Sequence, residues 1–246
     1  MEKFTVDGIV IRTSVTGESD RIVWVLTRNR GIIRAFAKGA RGTKSRLHGG
    51  TSLFAYGDFS FTEKNGVCNV NEVQVKEIFF DLRKSMEIFT LAQYFCEVIS
   101  KSLPENTSEE IYLRLLLNSL HFLTKEEKHE LLIKSVFELR LVSQAGFMPS
   151  LVACSDCSEF MTDIMFFDCS SGELYCGNCG KNKMIPAVPS AVIAAMRHIC
   201  YSEFGKIFSF ELSEELLFVL NRLTESYLKN VFNQDFKLLR YYKDIK

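Results

Sequence analysis

Two groups of residues in this 246-residue sequence have the types and spacing to do chemistry. In the first, Cys154-Ser155-Asp156-Cys157 is answered, after an eighteen-residue insert, by Cys176-Gly177-Asn178-Cys179. Each C-x2-C pair offers two sulfurs from one tight turn, and four soft anionic ligands at tetrahedral angles satisfy zinc without leaving an open position. The spacing therefore predicts one structural Zn2+ held by Cys154, Cys157, Cys176 and Cys179, supporting a fold rather than a reaction. Two disulfides or a redox dithiol are the alternatives. Against them, Met1-Glu2-Lys3-Phe4 does not begin a charged region followed by an apolar run, and a thioredoxin-like motif needs only one C-x2-C.

The second group is a basic stretch. Between residues 28 and 46 stand Arg28, Arg30, Arg34, Lys38, Arg41, Lys44 and Arg46, with Phe36 among them and no acidic residue. The formal net charge of zero and the sequence pI of about 6.9 conceal this. Residues 1 to 80 hold twelve Lys and Arg against eight Asp and Glu, a balance of +4, which leaves −4 for the remainder. Most charge runs are solvated surface. Here arginine predominates, acids are excluded and an aromatic is interleaved, which is the footprint of a polyanion partner.

Other chemistry finds no support. Gly42-Thr43-Lys44-Ser45 lacks the second glycine of a phosphate-binding loop, so nucleotide hydrolysis is not expected. His48, His121, His129 and His198 are scattered, with no H-E-x-x-H, and no nucleophile elbow is present. Glu109-Glu110, Glu126-Glu127 and Glu214-Glu215 are neighbours in sequence only, since adjacent helical residues face apart. The four remaining cysteines, Cys68, Cys96, Cys169 and Cys200, read as small, mostly buried residues, with Cys169 the one that could be confused with a metal ligand. The expectation is a protein that is not an enzyme.

The elements that must position these residues change character near residue 80. Runs at 4–13, 22–27, 32–38, 53–62 and 67–75, separated by glycine and asparagine turns, predict a five-stranded barrel, an OB-fold with an SH3-like barrel as the nearest competitor. Alternation puts Ile33, Ala35 and Ala37 on one face of the third strand and Arg34, Phe36 and Lys38 on the other, continuing into a flexible basic loop from Gly39 to Arg46. Trp24 and Tyr56 could stack on bases, though a lone tryptophan on an apolar strand is more often core. Beyond Lys76 the period becomes helical. Helices are expected over 81–102, from an N-cap at Ser108 to Leu123, over 125–145 with Gly146 ending it, over 190–200, and from Ser213 towards Leu239. A small hairpin through Phe166-Phe167 and residues 171–175 would cross between the knuckles. The fold class is thus α+β: an OB-fold nucleic-acid-binding domain over 1–80, a helical domain over 81–150 and 186–246, and a zinc subdomain inserted at 151–185. No apolar stretch reaches membrane-spanning length, and a cytoplasmic protein with no membrane partner is expected.

Three motifs in order resemble the RecO family of bacterial recombination mediators. They are Gly17-Glu18-Ser19-Asp20-Arg21, then Thr27-Arg28-Asn29-Arg30-Gly31 with Ala37-Lys38-Gly39-Ala40-Arg41, and finally Gly146-Phe147-Met148-Pro149-Ser150-Leu151 leading into the cysteines. The resemblance spans nearly the whole chain. It implies the same three-part architecture, DNA repair and recombination after DNA damage, binding of single- and double-stranded DNA, and annealing of complementary strands. It also implies partnership with RecR, contact with the acidic C-terminal tail of single-stranded DNA-binding protein, loading of RecA on coated single strands, and a cytoplasmic place at the nucleoid. Some relatives lack the cysteines. The DNA-binding set expected is Arg28, Arg30, Arg34, Phe36, Lys38, Arg41, Lys44 and Arg46. The alternative is a protein-interaction scaffold whose helical part takes acidic or apolar tails and for which DNA contact is incidental.

Overall fold

The computed structural model describes residues 1–103 and 110–246. The expected cap at Ser108 and the adjacent Glu109 lie outside the described residues. Two compact units are formed, one from Met1–Thr124 with Phe236–Lys246 and the other from Lys125–Asp235.

The first unit is built on a closed barrel of β1 (Glu2–Thr16), β2 (Asp20–Thr27), β3 (Ile32–Ala37), β4 (Ala55–Lys64) and β5 (Val67–Ile78). The strand order is β1-β2-β3-β5-β4, with β1 antiparallel to both β2 and β4 and β3 parallel to β5, the arrangement of an OB-fold. Period-two alternation drives Val6, Val10, Val23, Val25, Ala35, Ala37, Phe59 and Phe61 into one interior cluster. Gly8 and Gly57 face each other across β1 and β4, and a Cβ at Gly57 would collide with the Gln74 carbonyl on β5.

The connection from β3 to β4 differs from the free basic loop expected. It closes with a short helix, α1 (Leu47–Gly50), and is tied back along its length. Gly39 donates to Asp20 Oδ1 at 2.7 Å, the Arg41 amide to Ser19 O at 3.0 Å, and Arg21 to His48 O at 3.3 Å and Thr51 Oγ1 at 3.0 Å.

A 3-10 turn at Phe80–Lys84 then leads into α2 (Met86–Ser102), which begins later than the periodicity suggested because Ser85 Oγ caps it by accepting from Ile88 N at 3.2 Å. The next helix is α3 (Glu110–Lys125).

The second unit opens with α4 (Glu130–Gln144). Its start falls after the expected residue 125, since Glu126 takes a left-handed φ of 56° and His129 Nδ1 caps the helix from 3.1 Å. Gly146 ends it as expected. At φ 91° its N–H reaches Ser143 O while the Phe147 N–H reaches Val142 O, the paired bonds of a Schellman motif. The Cys-rich segment follows as an antiparallel hairpin of β6 (Ile164–Asp168) and β7 (Glu173–Cys176), the short turn α5 (Gly177–Gly180), and an unexpected third strand β8 (Ala187–Pro189) on the other edge of β6. Helices α6 (Ser190–Tyr201) and α7 (Glu214–Phe232) complete the unit. The single helix expected towards Leu239 is broken at Asn233, whose left-handed backbone stops α7. The chain restarts as α8 (Lys237–Ile245), which packs in the first unit where Glu97 accepts from the amides of Lys237 at 3.1 Å and Leu238 at 2.9 Å.

Every residue of α4 from Leu131 to Ser143 is buried, so its polar side chains need partners inside the protein. Lys134 Nζ lies 2.7 Å from Glu138 and 3.3 Å from Glu225, and the Thr224 hydroxyl donates to Glu138 at 2.7 Å. Arg140 donates to the carbonyls of Ile199 and Cys200 at the end of α6, where the helix dipole is negative. Replacing Lys134 by Met removes the cation from between two buried carboxylates and is expected to destabilise the protein by about 3–5 kcal/mol in denaturant titrations. Undiminished stability would show that the pair is not what satisfies this helix.

Candidate nucleic-acid interface and metal centre

The alternation of β3 separates its residues as the sequence suggests. Ala35 and Ala37 are fully buried, Arg34 is exposed and Phe36 is half-buried on the outer face. Lys38, Arg41, Lys44 and Arg46 are all exposed along the connection that follows.

The eight residues of the expected set do not form one patch. Arg28 and Arg30 sit in the β2–β3 turn, at the opposite end of β3 from Lys38, and acids from distant parts of the chain reach them. Arg28 lies 3.0 Å from Asp7 and 3.2 Å from Glu110, and the hydrogen bond to Asp7, ahead of its other contacts, raises the Arg28 pKa. Asp7 also receives Lys76 at 3.0 Å and the Tyr56 hydroxyl at 2.9 Å, so Tyr56 belongs to this ion-pair cluster. Arg30 pairs with Glu2 at 2.9 Å and lies 4.0 Å above the Phe4 ring. Arg41 donates to the Glu18 carbonyl at 2.8 Å. Among the described residues, Arg34, Lys38, Lys44 and Arg46 have no ion-pair partner.

Two further residues belong to this face. Trp24 is half-buried on the outside of β2 rather than in the core, because the partners at Val23 and Val25 take the inward positions. It stands in register with Arg12 on β1 and Arg34 on β3. The Arg12 guanidinium carbon is 4.5 Å from the indole centroid and that of Arg34 is 5.7 Å from it, with Phe36 5.8 Å beyond Arg34. Strict alternation from the inward Val10 would have pointed Arg12 into the barrel. The register shifts between Val10 and Arg12, leaving Ile11 as the extra residue of a bulge that turns Arg12 outwards. Only the charge itself was visible in sequence; the bulge was not.

The second site is the metal centre. The knuckle turns carry Cys154 and Cys157 on one side and Cys176 and Cys179 on the other, and their four sulfurs all lie within 4.8 Å of one another. Tetrahedral zinc at about 2.3 Å per sulfur needs sulfurs about 3.8 Å apart; Cys157 and Cys176 are at 3.6 Å. The Cys179 amide points at Cys176 Sγ from 3.5 Å. Burial pushes the Cys154 thiol up, but backbone amides of Cys176, Cys157 and Asp156 outweigh it and bring the thiol down to about 6. Hydrogen bonds from Cys157 and Cys176 push Cys179 up to about 12. A cation between the sulfurs would favour the thiolate form of the set. The four cysteines are positioned to hold a metal ion. Cys169 stands apart from them, with its thiol 3.8 Å from the Leu223 carbonyl.

Arg197 on α6 braces this centre. It donates to the carbonyls of Leu151 at 2.6 Å, Val152 at 3.1 Å and Phe160 at 2.6 Å, and its guanidinium lies 4.1 Å from the Phe160 ring centroid. The chain is therefore gripped on both sides of Cys154 and Cys157. The second knuckle is tied by the Gly177 amide, which donates to Thr162 Oγ1 at 3.0 Å.

Among the described residues no helix is long and apolar enough to cross a membrane. Comparison with known proteins accounts for both units. Residues 1–79 match the family model described as recombination protein O N terminal, and residues 83–240 match recombination protein O C terminal. The chain is 33% identical over 246 residues to the DNA repair protein RecO of Acetivibrio thermocellus, covering 100% of this chain and 98% of the relative. It is 28% identical over 237 residues to the DNA repair protein RecO of Dehalococcoides mccartyi, covering 96% and 93% respectively. With the OB barrel, the helices and the cysteine cluster all in the order that those matches span, the chain belongs to the RecO family.

Proposed function

We propose that this chain is a DNA-binding recombination mediator in recombinational DNA repair, with no catalytic activity of its own. The observation that carries the reading is the set of exposed cations on the outer face of β3 and the connection after it, Arg34, Lys38, Lys44 and Arg46, which have no acidic partner among the described residues. Such cations are drawn to phosphates, releasing condensed counterions. Phe36 and Arg41 extend the surface, while Arg28 and Arg30 must exchange existing ion pairs for phosphates and so add less. Residues 1–80 are the DNA-binding domain in this reading, 81–150 and 186–246 the helical domain, and 151–185 a subdomain closed by structural zinc.

Annealing follows physically, since a cationic surface that neutralises two strands together lowers their mutual repulsion. The reading extends, through the family, to single- and double-stranded DNA as ligands, to RecR and the C-terminal tail of single-stranded DNA-binding protein as partners, to RecA loading on coated single strands as the outcome, and to the cytoplasm and nucleoid as the place of action.

Binding of oligonucleotides to the full chain should weaken steeply with salt. Each phosphate contact contributes about 0.7 to the logarithmic salt slope on single strands. Replacing Arg34, Lys38, Arg41 and Lys44 together by Gln should therefore lower that slope by about 3. A slope that does not move would place DNA binding elsewhere on the protein.

Elemental measurement on protein purified without chelator should find about one zinc per chain, lost on Cys176→Ser. Arg197→Met keeps all four ligands yet should weaken zinc retention by about 10- to 100-fold in competition with a chromogenic chelator. Absence of zinc from the wild-type chain would remove the assignment.

A further inference from the structure

The guanidiniums of Arg12 and Arg34 rest over Trp24 from the two strands that flank it, and neither has a carboxylate within ion-pair distance among the described residues. An arginine on an aromatic face is held by a weak attraction where water has access. A phosphate offers the same guanidinium a charge-assisted, bidentate contact, which is the stronger bond. When phosphate draws the two arginines outwards, the indole between them is uncovered. Arg12 and Arg34 stand in register with Trp24 on the two neighbouring strands, each about 4.8 Å away, so they approach the ring from either side and their outward movement exposes the indole to a base.

The surrounding residues favour that occupant. The exposed cations Arg34 and Lys38 continue along β3 from the indole, and Phe36 provides a second half-buried ring on the same face. The bulge at Ile11 is the device that brings Arg12 to the outside, where it has no interior role. The barrel core does not need Trp24, because Val23 and Val25 fill the interior on either side of it. A duplex turns its base faces into its own stack and offers only phosphates to such a surface, whereas an unpaired strand offers both.

We propose that Trp24, flanked by Arg12 and Arg34, is a base-stacking site that separates unpaired strands from duplex, with the two arginines taking the phosphates on either side of the stacked base. This rests on the nucleic-acid reading above and adds to it a contact that the charges alone would not give. Phosphate binding supplies affinity for both kinds of DNA; the indole supplies the difference between them.

Trp24 is the chain's single tryptophan, so indole fluorescence reports this site alone. Titrating the full-length chain with an unpaired oligothymidylate should quench that emission, while a blunt duplex of equal length should bind with little quenching. Trp24→Leu should weaken binding of the unpaired strand by about tenfold, with duplex affinity and the salt slope unchanged, and Trp24→Phe should restore most of the loss. Circular dichroism checks that each variant folds. The proposal is overturned if folded Trp24→Leu holds the unpaired strand as tightly as wild type, or if it loses single strand and duplex to the same extent. Should Trp24→Leu fail to fold, the wild-type titration decides alone, since equal quenching by both ligands, or none by either while both bind, also overturns it. A wild-type chain that binds neither ligand would instead overturn the nucleic-acid reading on which the proposal rests.

Discussion

Because β1 must pair with both β2 and β4 while β3 reaches across to β5, each strand of the barrel turns alternate side chains into a narrow interior. Alanine at positions 35, 37, 40 and 55 and valine at 6, 10, 23 and 25 fit there. Arginine does not, and so the same closure that builds the core also sorts the cations of β3 onto the outside. The basic face is thus a by-product of packing. It needs no dedicated scaffold, only a strand whose inward positions are small and whose outward positions are charged.

This sorting explains which features could be read from the residues alone. The strands, the alternation of β3 and the cysteine ligand set are local patterns, governed by a period of two or by turns a few residues long. The ion pairs of Arg28 with Asp7 and Glu110, and of Arg30 with Glu2, join residues far apart in sequence, and a scan for acids between positions 28 and 46 is blind to them. Arg12 was hidden for another reason. A one-residue bulge reverses the facing of everything after it, and the run Ile9-Val10-Ile11 contains no glycine to mark the place. For Trp24 the apolar neighbours leave base stacking and a core place both open in the sequence, and those neighbours turn out to occupy the interior themselves. Asn233 stops α7 through a backbone conformation that asparagine tolerates, a weak signal beside the helical pattern on either side.

The second unit is ordered by a different economy. Helix α4 is enclosed on every side, so Lys134, Glu138, Thr224 and Glu225 satisfy one another within it. Around the cysteines the order comes from backbone carbonyls, three of which converge on Arg197. A metal ion bound there would close a loop that α6 already holds at both ends, so the preorganisation of the ligands lies partly outside the ligand set itself.

One detail of the barrel bears on how it yields. Between β3 and β5 only two residue pairs are in register, Ala35 with Cys68 and Phe36 with Asn69, whereas β4 and β5 are paired almost from end to end. The seam with the fewest ladder bonds is where local opening costs least. The thin seam of this barrel is therefore the β3–β5 edge, beside the outward-facing phenylalanine, while the other edge of β3 is held to β2 along all six of its residues and β4–β5 stays closed.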